Sequence, residues 1–190
     1  RKVKNVTARG RAGRSLVRLA LELADSRIVD WSAERVLLVG TGAYAAVTLA
    51  TLRERGAENI SVYSPSGRAE IFAAKHGIRA VPAEEYARTA ARSSLLITCT
   101  TTTEPVLGVE HLQAPTGIAT AGCPMGAHSQ LVIDLGMPRN VDPAVATLEG
   151  VALLDLETIS LHAPLEELQA TDAARNVVRE AADTFHVVGS

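Results

Sequence analysis

The chain has 190 residues, a formal net charge of −2, and a composition of 47% hydrophobic and 21% charged residues. These values describe a globular protein of one domain plus connecting segments, and a chain of this length buries about 70% of its unfolded surface. The charge argues against a general affinity for nucleic acid, and no apolar run approaches the roughly 20 residues that span a bilayer. Two cysteines, Cys99 and Cys123, cannot make a disulfide framework of the secreted kind. Arg1-Lys2-Val3-Lys4 lacks the apolar core of a signal peptide, so a cytoplasmic setting is expected. Aromatic residues are only 3%, which leaves the core to Ala, Val, Leu and Ile, as in buried parallel sheets.

The basic start, from Arg1 to Arg18, reads as a solvated linker and helix face, because no aromatic residue interleaves to support a nucleic-acid contact. From Ser15 to about Val29, Leu16, Leu19, Ala20 and Leu23 recur at helical spacing and predict an amphipathic helix. Asp30-Trp31-Ser32 caps or turns the chain into the first strand, Arg35–Val39, which leads to a helix over Ala43–Gly56. A second strand, Asn59–Ser64, leads to a helix Gly67–His76 closed by Gly77. A short strand at Arg79–Val81, a short helix from Ala83, and buried-type strands at Ser94–Thr100, Leu131–Leu135 and Val151–Leu154 follow. Residues 113 to 130, rich in Ala, Gly, Pro and Thr, read as a mobile loop. A helix over Pro164–Phe185 carries an apolar stripe through Leu165, Leu168, Ala173, Val177, Val178 and Ala181 that awaits a partner outside the chain. Strands alternating with helices predict an α/β fold with a Rossmann-type, doubly wound, mostly parallel sheet and flanking helices at both ends.

The first strand ends in Gly40-Thr41-Gly42-Ala43-Tyr44-Ala45, a Gly-x-Gly-x-x-Ala turn between a strand and a helix. That order presents backbone N–H groups and a helix N-terminus to a pyrophosphate. Gly40 makes the tight turn, Gly42 lets the backbone approach the phosphates, and small Ala45 lets helix and strand pack closely. At the end of the second strand, where an acid would bind the ribose 2′-OH of NAD, the chain reads Tyr63-Ser64-Pro65-Ser66-Gly67-Arg68. No carboxylate is present there. Two hydroxyls and Arg68 suit the 2′-phosphate of NADPH, with charge-assisted bonds of about 1.5–3 kcal/mol each.

With these motifs in place, the block Val132-Ile133-Asp134-Leu135-Gly136-Met137-Pro138-Arg139-Asn140-Val141-Asp142-Pro143 resembles the Ile-Asp-x-x-x-Pro-Arg-x-x-Asp-Pro signature of the glutamyl-tRNA reductase family. Leu153-Leu154-Asp155-Leu156-Glu157, and Thr98-Cys99-Thr100 through Glu104-Pro105-Val106-Leu107, are similar to further stretches of that family. The resemblance implies an NADPH-dependent oxidoreductase that reduces glutamyl-tRNA to glutamate-1-semialdehyde in tetrapyrrole (porphyrin) biosynthesis. It also implies a catalytic cysteine in a separate N-terminal domain, a C-terminal helical domain that makes the homodimer, and glutamate-1-semialdehyde aminotransferase as a partner. On that reading residues 1–31 are a linker and amphipathic helix from the N-terminal domain. Residues 32–160 are the NADP(H)-binding domain, and 161–190 begin the dimerisation region. No catalytic residue is then expected within the chain. Where the family has Glu-Met-Gly the chain has Ala43-Tyr44-Ala45, and Ser64-Pro65-Ser66 stands for the usual Asn-Arg-Thr, which moves the 2′-phosphate contact towards Arg68.

Cys99 reads as a small buried residue, and Cys123 as incidental. Asp134 either orients the nicotinamide or a domain-closing contact, or caps the following turn through Arg139 and backbone donors. Asp142-Pro143 reads as a helix N-cap with Pro at the first helical position. Thr100 to Thr103 crowd four hydroxyls beside the expected nicotinamide and its ribose, with Thr100 and Thr101 the cofactor candidates and plain turn chemistry as the alternative. His76, His111, His128, His162 and His186 lack metal-ligand spacing, and no metal is expected. Two other functions remain open: another NADP-dependent dehydrogenase, of the shikimate dehydrogenase type, and a Rossmann scaffold that has lost its cofactor.

Overall fold

The run Arg35–Val39 forms β1 at the middle of the sheet, and Val36 to Val39 are all buried. The computed structural model describes residues 2–113 and 129–162, with side chains from residue 13. After helix α1 (Lys2–Asp25) and a 3-10 turn at Trp31–Ala33, β1 leads to α2 (Ala43–Glu54), β2 (Asn59–Tyr63), α3 (Ala69–His76) and β3 (Arg79–Ala80). Then come α4 (Ala83–Arg92), β4 (Leu95–Thr98), α5 (Val109–Leu112), β5 (Gln130–Asp134), a 3-10 turn at Pro143–Thr147, β6 (Val151–Leu154) and α6 (Leu156–Leu161). The six strands are parallel in the order β3-β2-β1-β4-β5-β6. The expected doubly wound sheet is therefore present.

Alternation along each strand divides the core into two layers. Val36, Leu38, Ile60, Val62, Leu95, Ile97, Leu131 and Ile133 face a layer containing α1, α2, α3 and α6. Leu37, Val39, Leu96 and Val132 face the other way, with Tyr86 and Ala90 of α4 and Val145 of the second 3-10 turn. Because both faces are covered, the central strands read as unbroken apolar runs instead of alternating ones.

The first helix is longer at its start and shorter at its end than its apolar spacing predicts. Its second half is not a free linker: Val17, Ala20, Leu21 and Ala24 are buried against the sheet layer. Burying Val17 and Leu21 alone is worth about 1.5–3 kcal/mol each. Asp30 caps the turn at Trp31 by accepting from Ser32 N, as its position suggests. The left-handed Gly77 (φ 66) ends α3, and Asp142 with Pro143 opens its 3-10 turn, its side chain accepting from Ala144 N. Helix α3 begins at Ala69, two residues later than expected, because Gly67 (φ 77) turns the chain back, with its N–H on Ser64 O. No helix among the described residues is long and apolar enough to cross a membrane. The readings of Cys123, His128, His186, the 164–185 helix and most of the 113–130 loop lie outside the described residues.

Candidate functional site

The chain leaves β1 for one layer and returns through β4 on its other side, so the carboxyl ends of β1 and β4 bound a crevice where such sheets take ligands. Gly40 sits at that point. Its φ is 126°, and a β-carbon there would stand 3.0 Å from Cys99 O and 3.1 Å from Cys99 Sγ. Conformation and space both require glycine. Gly40 N donates to Tyr63 O and Cys99 N to Val39 O, each at 2.9 Å, so the three strand ends are tied together.

Gly42 differs. Its φ of −81° suits any residue, and a β-carbon would meet nothing within 4 Å. Nothing among the described residues demands a glycine there, so the open space in front of its backbone is what its lack of a side chain provides. Gly42 is the N-cap of α2, whose first turn has no side-chain cap and no acid. The orphan N–H groups of that turn therefore point towards the crevice with the positive end of the helix dipole. Ala45 is fully buried and permits close packing of helix on strand. Tyr44 does not obstruct the turn: its ring lies against Gly13 of α1, where a β-carbon would be 3.1 Å from Tyr44 Cε1. Partial burial raises its hydroxyl above the usual tyrosine range.

Beside the turn lies a cleft of about 450 Å³, with Thr41, Gly42, Ala43 and Ala46 on one wall and Arg68, Ile71, Lys75 and His76 on the other. Three predicted residues of the turn and Arg68 thus meet in one space. Arg68 is exposed at the N-cap of α3 and forms no ion pair with a described residue. Ser64 is buried, its Oγ 2.9 Å from the Oγ of exposed Ser66. Lys75, a second cation on this wall, was not singled out by the sequence.

The loop after β4 is held differently. Thr100 N donates to Asn140 Oδ1 at 2.7 Å, and its hydroxyl lies 2.8 Å from that of Thr102. Thr101 is exposed. Asp134 caps the turn after β5, one of the two roles its position suggests. It is 2% exposed and accepts from Thr98 Oγ1, Gly136 N, Asn140 N and Val141 N. Burial pushes its carboxyl above the usual range, against the pull of those donors. It therefore organises the turn. Arg139 has no part in that capping, and pairs instead with Asp155 at 3.3 Å and Glu157 at 3.2 Å. Asp155 accepts from Thr158 N as the N-cap of α6; burial opposes its ionisation, but Thr158 and Arg139 outweigh it and hold the carboxyl below its usual range. Gly136 is likewise buried, and a β-carbon there would collide with the Asn140 amide. Its lack of a side chain admits Asn140.

Fully buried Asn140 is the residue sequence reasoning missed. It joins the loop after β4 to the loop after β5, and its carbonyl accepts from Val106 N and Leu107 N. Its place between Arg139 and Asp142 in the signature block was the available signal. Gln130 was also missed; its amide donates to Ala90 O, Ala91 O and Ser93 O at the end of α4.

Cys99 is buried, and burial with the nearby Asp134 charge pushes its thiol up to about 12, which leaves it inert as a nucleophile. No three His, Cys, Asp or Glu side chains among the described residues are grouped to hold a metal. His111 Nδ1 accepts from Gly108 N, and His162 Nδ1 lies 2.9 Å from Thr158 O.

A six-stranded parallel sheet with the order 3-2-1-4-5-6, a glycine-cornered turn after β1 and an uncapped helix behind it together define a dinucleotide-binding domain of the dehydrogenase type. The family model described as Shikimate / quinate 5-dehydrogenase matches residues 22–161, and the chain belongs to that family. Its similarity to curated proteins is to glutamyl-tRNA reductases. It is 55% identical over its full length to that of Clavibacter michiganensis, of which it covers 42%. It is 40% identical over 181 residues to that of Pseudarthrobacter chlorophenolicus, covering 94% of this chain and 39% of the relative. The chain thus spans about two-fifths of the length of these relatives. Among solved structures, glutamyl-tRNA reductase from Methanopyrus kandleri aligns over 87% of this chain and 39% of its own, with a TM-score of 0.66 at 23% identity. The nucleotide binding domain of the Thermoplasma volcanium enzyme aligns over 88% of this chain and 96% of its own, with a TM-score of 0.52 at 18% identity. These two structures speak for the fold. The resemblance drawn from the Asp134–Pro143 block is borne out by the relatives, which favour it over the shikimate dehydrogenase alternative.

Proposed function

We propose that the chain is the NADPH-holding domain of a glutamyl-tRNA reductase, acting in the reduction of glutamyl-tRNA to glutamate-1-semialdehyde in porphyrin biosynthesis. The observation that carries this is Gly42: an N-cap glycine that neither its dihedral angles nor its neighbours require, at the uncapped start of α2 and sharing a cleft with Arg68. The residues present fit the cofactor. Backbone N–H groups of Thr41, Gly42, Ala43 and Tyr44 would receive its diphosphate, with Gly40 setting the bend and Ala45 the helix packing. Arg68, with Ser64 and Ser66, would meet the 2′-phosphate. Thr100 and Thr101 would flank the nicotinamide riboside, their loop held by Asn140 and Asp134. When bound, the cofactor supplies hydride to an acyl group presented from outside these residues.

On this reading the nucleophilic cysteine belongs to an N-terminal catalytic domain reached through α1, and residues 161–190 lead into a dimerising region. Glutamyl-tRNA would be met by the full-length cytoplasmic enzyme, which would pass its aldehyde to an aminotransferase. The test pairs binding with turnover. Calorimetry of the 190-residue chain should give one NADPH site, and incubation with glutamyl-tRNA and NADPH should give no semialdehyde. Semialdehyde from this chain alone would overturn the division of labour, whereas no heat at millimolar NADPH would favour a scaffold.

A further inference from the structure

At the amino edge of the sheet, Arg35 of β1 stands opposite Asn59 of β2, and Ser61 of β2 opposite Arg79 of β3. Val36 and Ala80 pack into the layer under α1 to α3, so alternation turns Arg35 and Arg79 to the other face, where Tyr86 and Ala90 anchor α4. There Arg35 and Arg79 line one slot of about 310 Å³ together with Glu85, Arg88 and Arg92 of α4. Glu85 is taken by Arg79 at 2.6 Å. Arg35, Arg88 and Arg92 have no carboxylate within ion-pair distance among the described residues. Three arginines without a carboxylate partner among the described residues thus line one concavity in a chain whose net charge is −2.

We propose that this slot grips backbone phosphates of the tRNA substrate. The step rests on the glutamyl-tRNA reading above and adds a place of contact to it. Guanidinium forks match phosphate geometry and keep their charge at any accessible pH. Among the described residues the slot has no aromatic lining on which a base could stack, so it suits the sugar-phosphate chain and not sequence readout. It lies at the opposite end of the strands from the glycine turn, roughly 16 Å away along a five-residue strand, so the dinucleotide does not compete for it. A polyanion as large as a tRNA can reach both ends. The overall charge still forbids indiscriminate binding, and the contact is local.

The test measures affinity for uncharged glutamate tRNA by fluorescence anisotropy across a salt series, with NADPH affinity and thermal midpoint recorded for each variant. Arg88→Glu/Arg92→Glu should weaken tRNA at least about fivefold and flatten the slope of log K against log salt by about 1.4–1.8, the amount for two phosphates. Arg88→Gln/Arg92→Gln should do the same more mildly. Arg18→Glu/Arg27→Glu, the same charge change elsewhere, should leave the slope unchanged. Equal slopes in wild type and both slot variants would overturn the proposal, as would equal losses in the control. Thermal protection by pyrophosphate with no tRNA contact would also overturn it, in favour of a small-anion site. Failure of NADPH binding in wild type would remove the proposed function and leave the tRNA comparison readable.

Discussion

Replacing Gly42 with alanine separates a folding role from a binding role at one atom. The new β-carbon meets nothing within 4 Å, and the φ of −81° is open to alanine. Removing glycine from the unfolded chain gains about 0.4–1 kcal/mol. Alanine is a poorer N-cap than glycine by about 0.5–1 kcal/mol. The two cancel, so stability should change by less than about 1 kcal/mol, a thermal shift within about 4 °C for a chain of this size. Binding should respond quite differently. A methyl group in front of the backbone keeps a phosphate oxygen from its N–H, and one charge-assisted bond is worth about 1.5–3 kcal/mol. NADPH affinity should therefore fall roughly 10- to 150-fold. Fluorescence titration of NADPH beside a thermal melt of the cofactor-free protein reads both quantities. Unchanged affinity at unchanged stability would refute the argument that the diphosphate approaches this backbone.

Gly40→Ala should act in the opposite sense, costing about 1–3 kcal/mol from its φ of 126° and more from the contact with Cys99 O, seen as a lowered melting temperature; an unshifted melt would contradict the close approach of β1 and β4. Arg68→Ala should lower NADPH affinity about 10-fold or more while sparing NADH, and an unchanged ratio of the two would exclude Arg68 as the discriminator. Asp134→Asn should turn an NH2 towards at least one of the donors Gly136 N, Asn140 N and Val141 N, costing about 1–3 kcal/mol per stranded donor, measurable by denaturant unfolding. In a Cys123→Ser background, Cys99, with its thiol pushed up to about 12, should resist iodoacetamide at pH 8 in the folded state, and rapid alkylation would show that it is neither buried nor inert.

The sheet was legible because its strands are apolar on both faces and its turns are marked by glycine. Gly40, Gly56 and Gly77 all adopt positive φ where a turn or helix end was expected, whereas Gly67, expected to open a helix, turns the chain instead. The turn and Arg68 were legible for the same reason, since a Gly-x-Gly-x-x-Ala motif and the residues after the second strand have fixed places in this topology. What was not legible depends on contacts between distant residues. The pairing of Tyr44 with Gly13 spans two helices, and only coordinates show that it draws the ring away from the cleft. Asp134 carries the same signature whether it faces a ligand or four backbone and hydroxyl donors, and its partners up to 36 residues away decided for the turn. Asn140 was hidden because its value lies in joining two loops, which no local pattern records.

The most direct measurement is a crystal structure of the chain grown with NADPH. The account predicts diphosphate density against the backbone of Gly40 to Ala43, with the 2′-phosphate beside Arg68 and the Tyr44 ring still on Gly13. Density for the cofactor elsewhere, or Tyr44 swung into the turn with no cofactor bound, would contradict it.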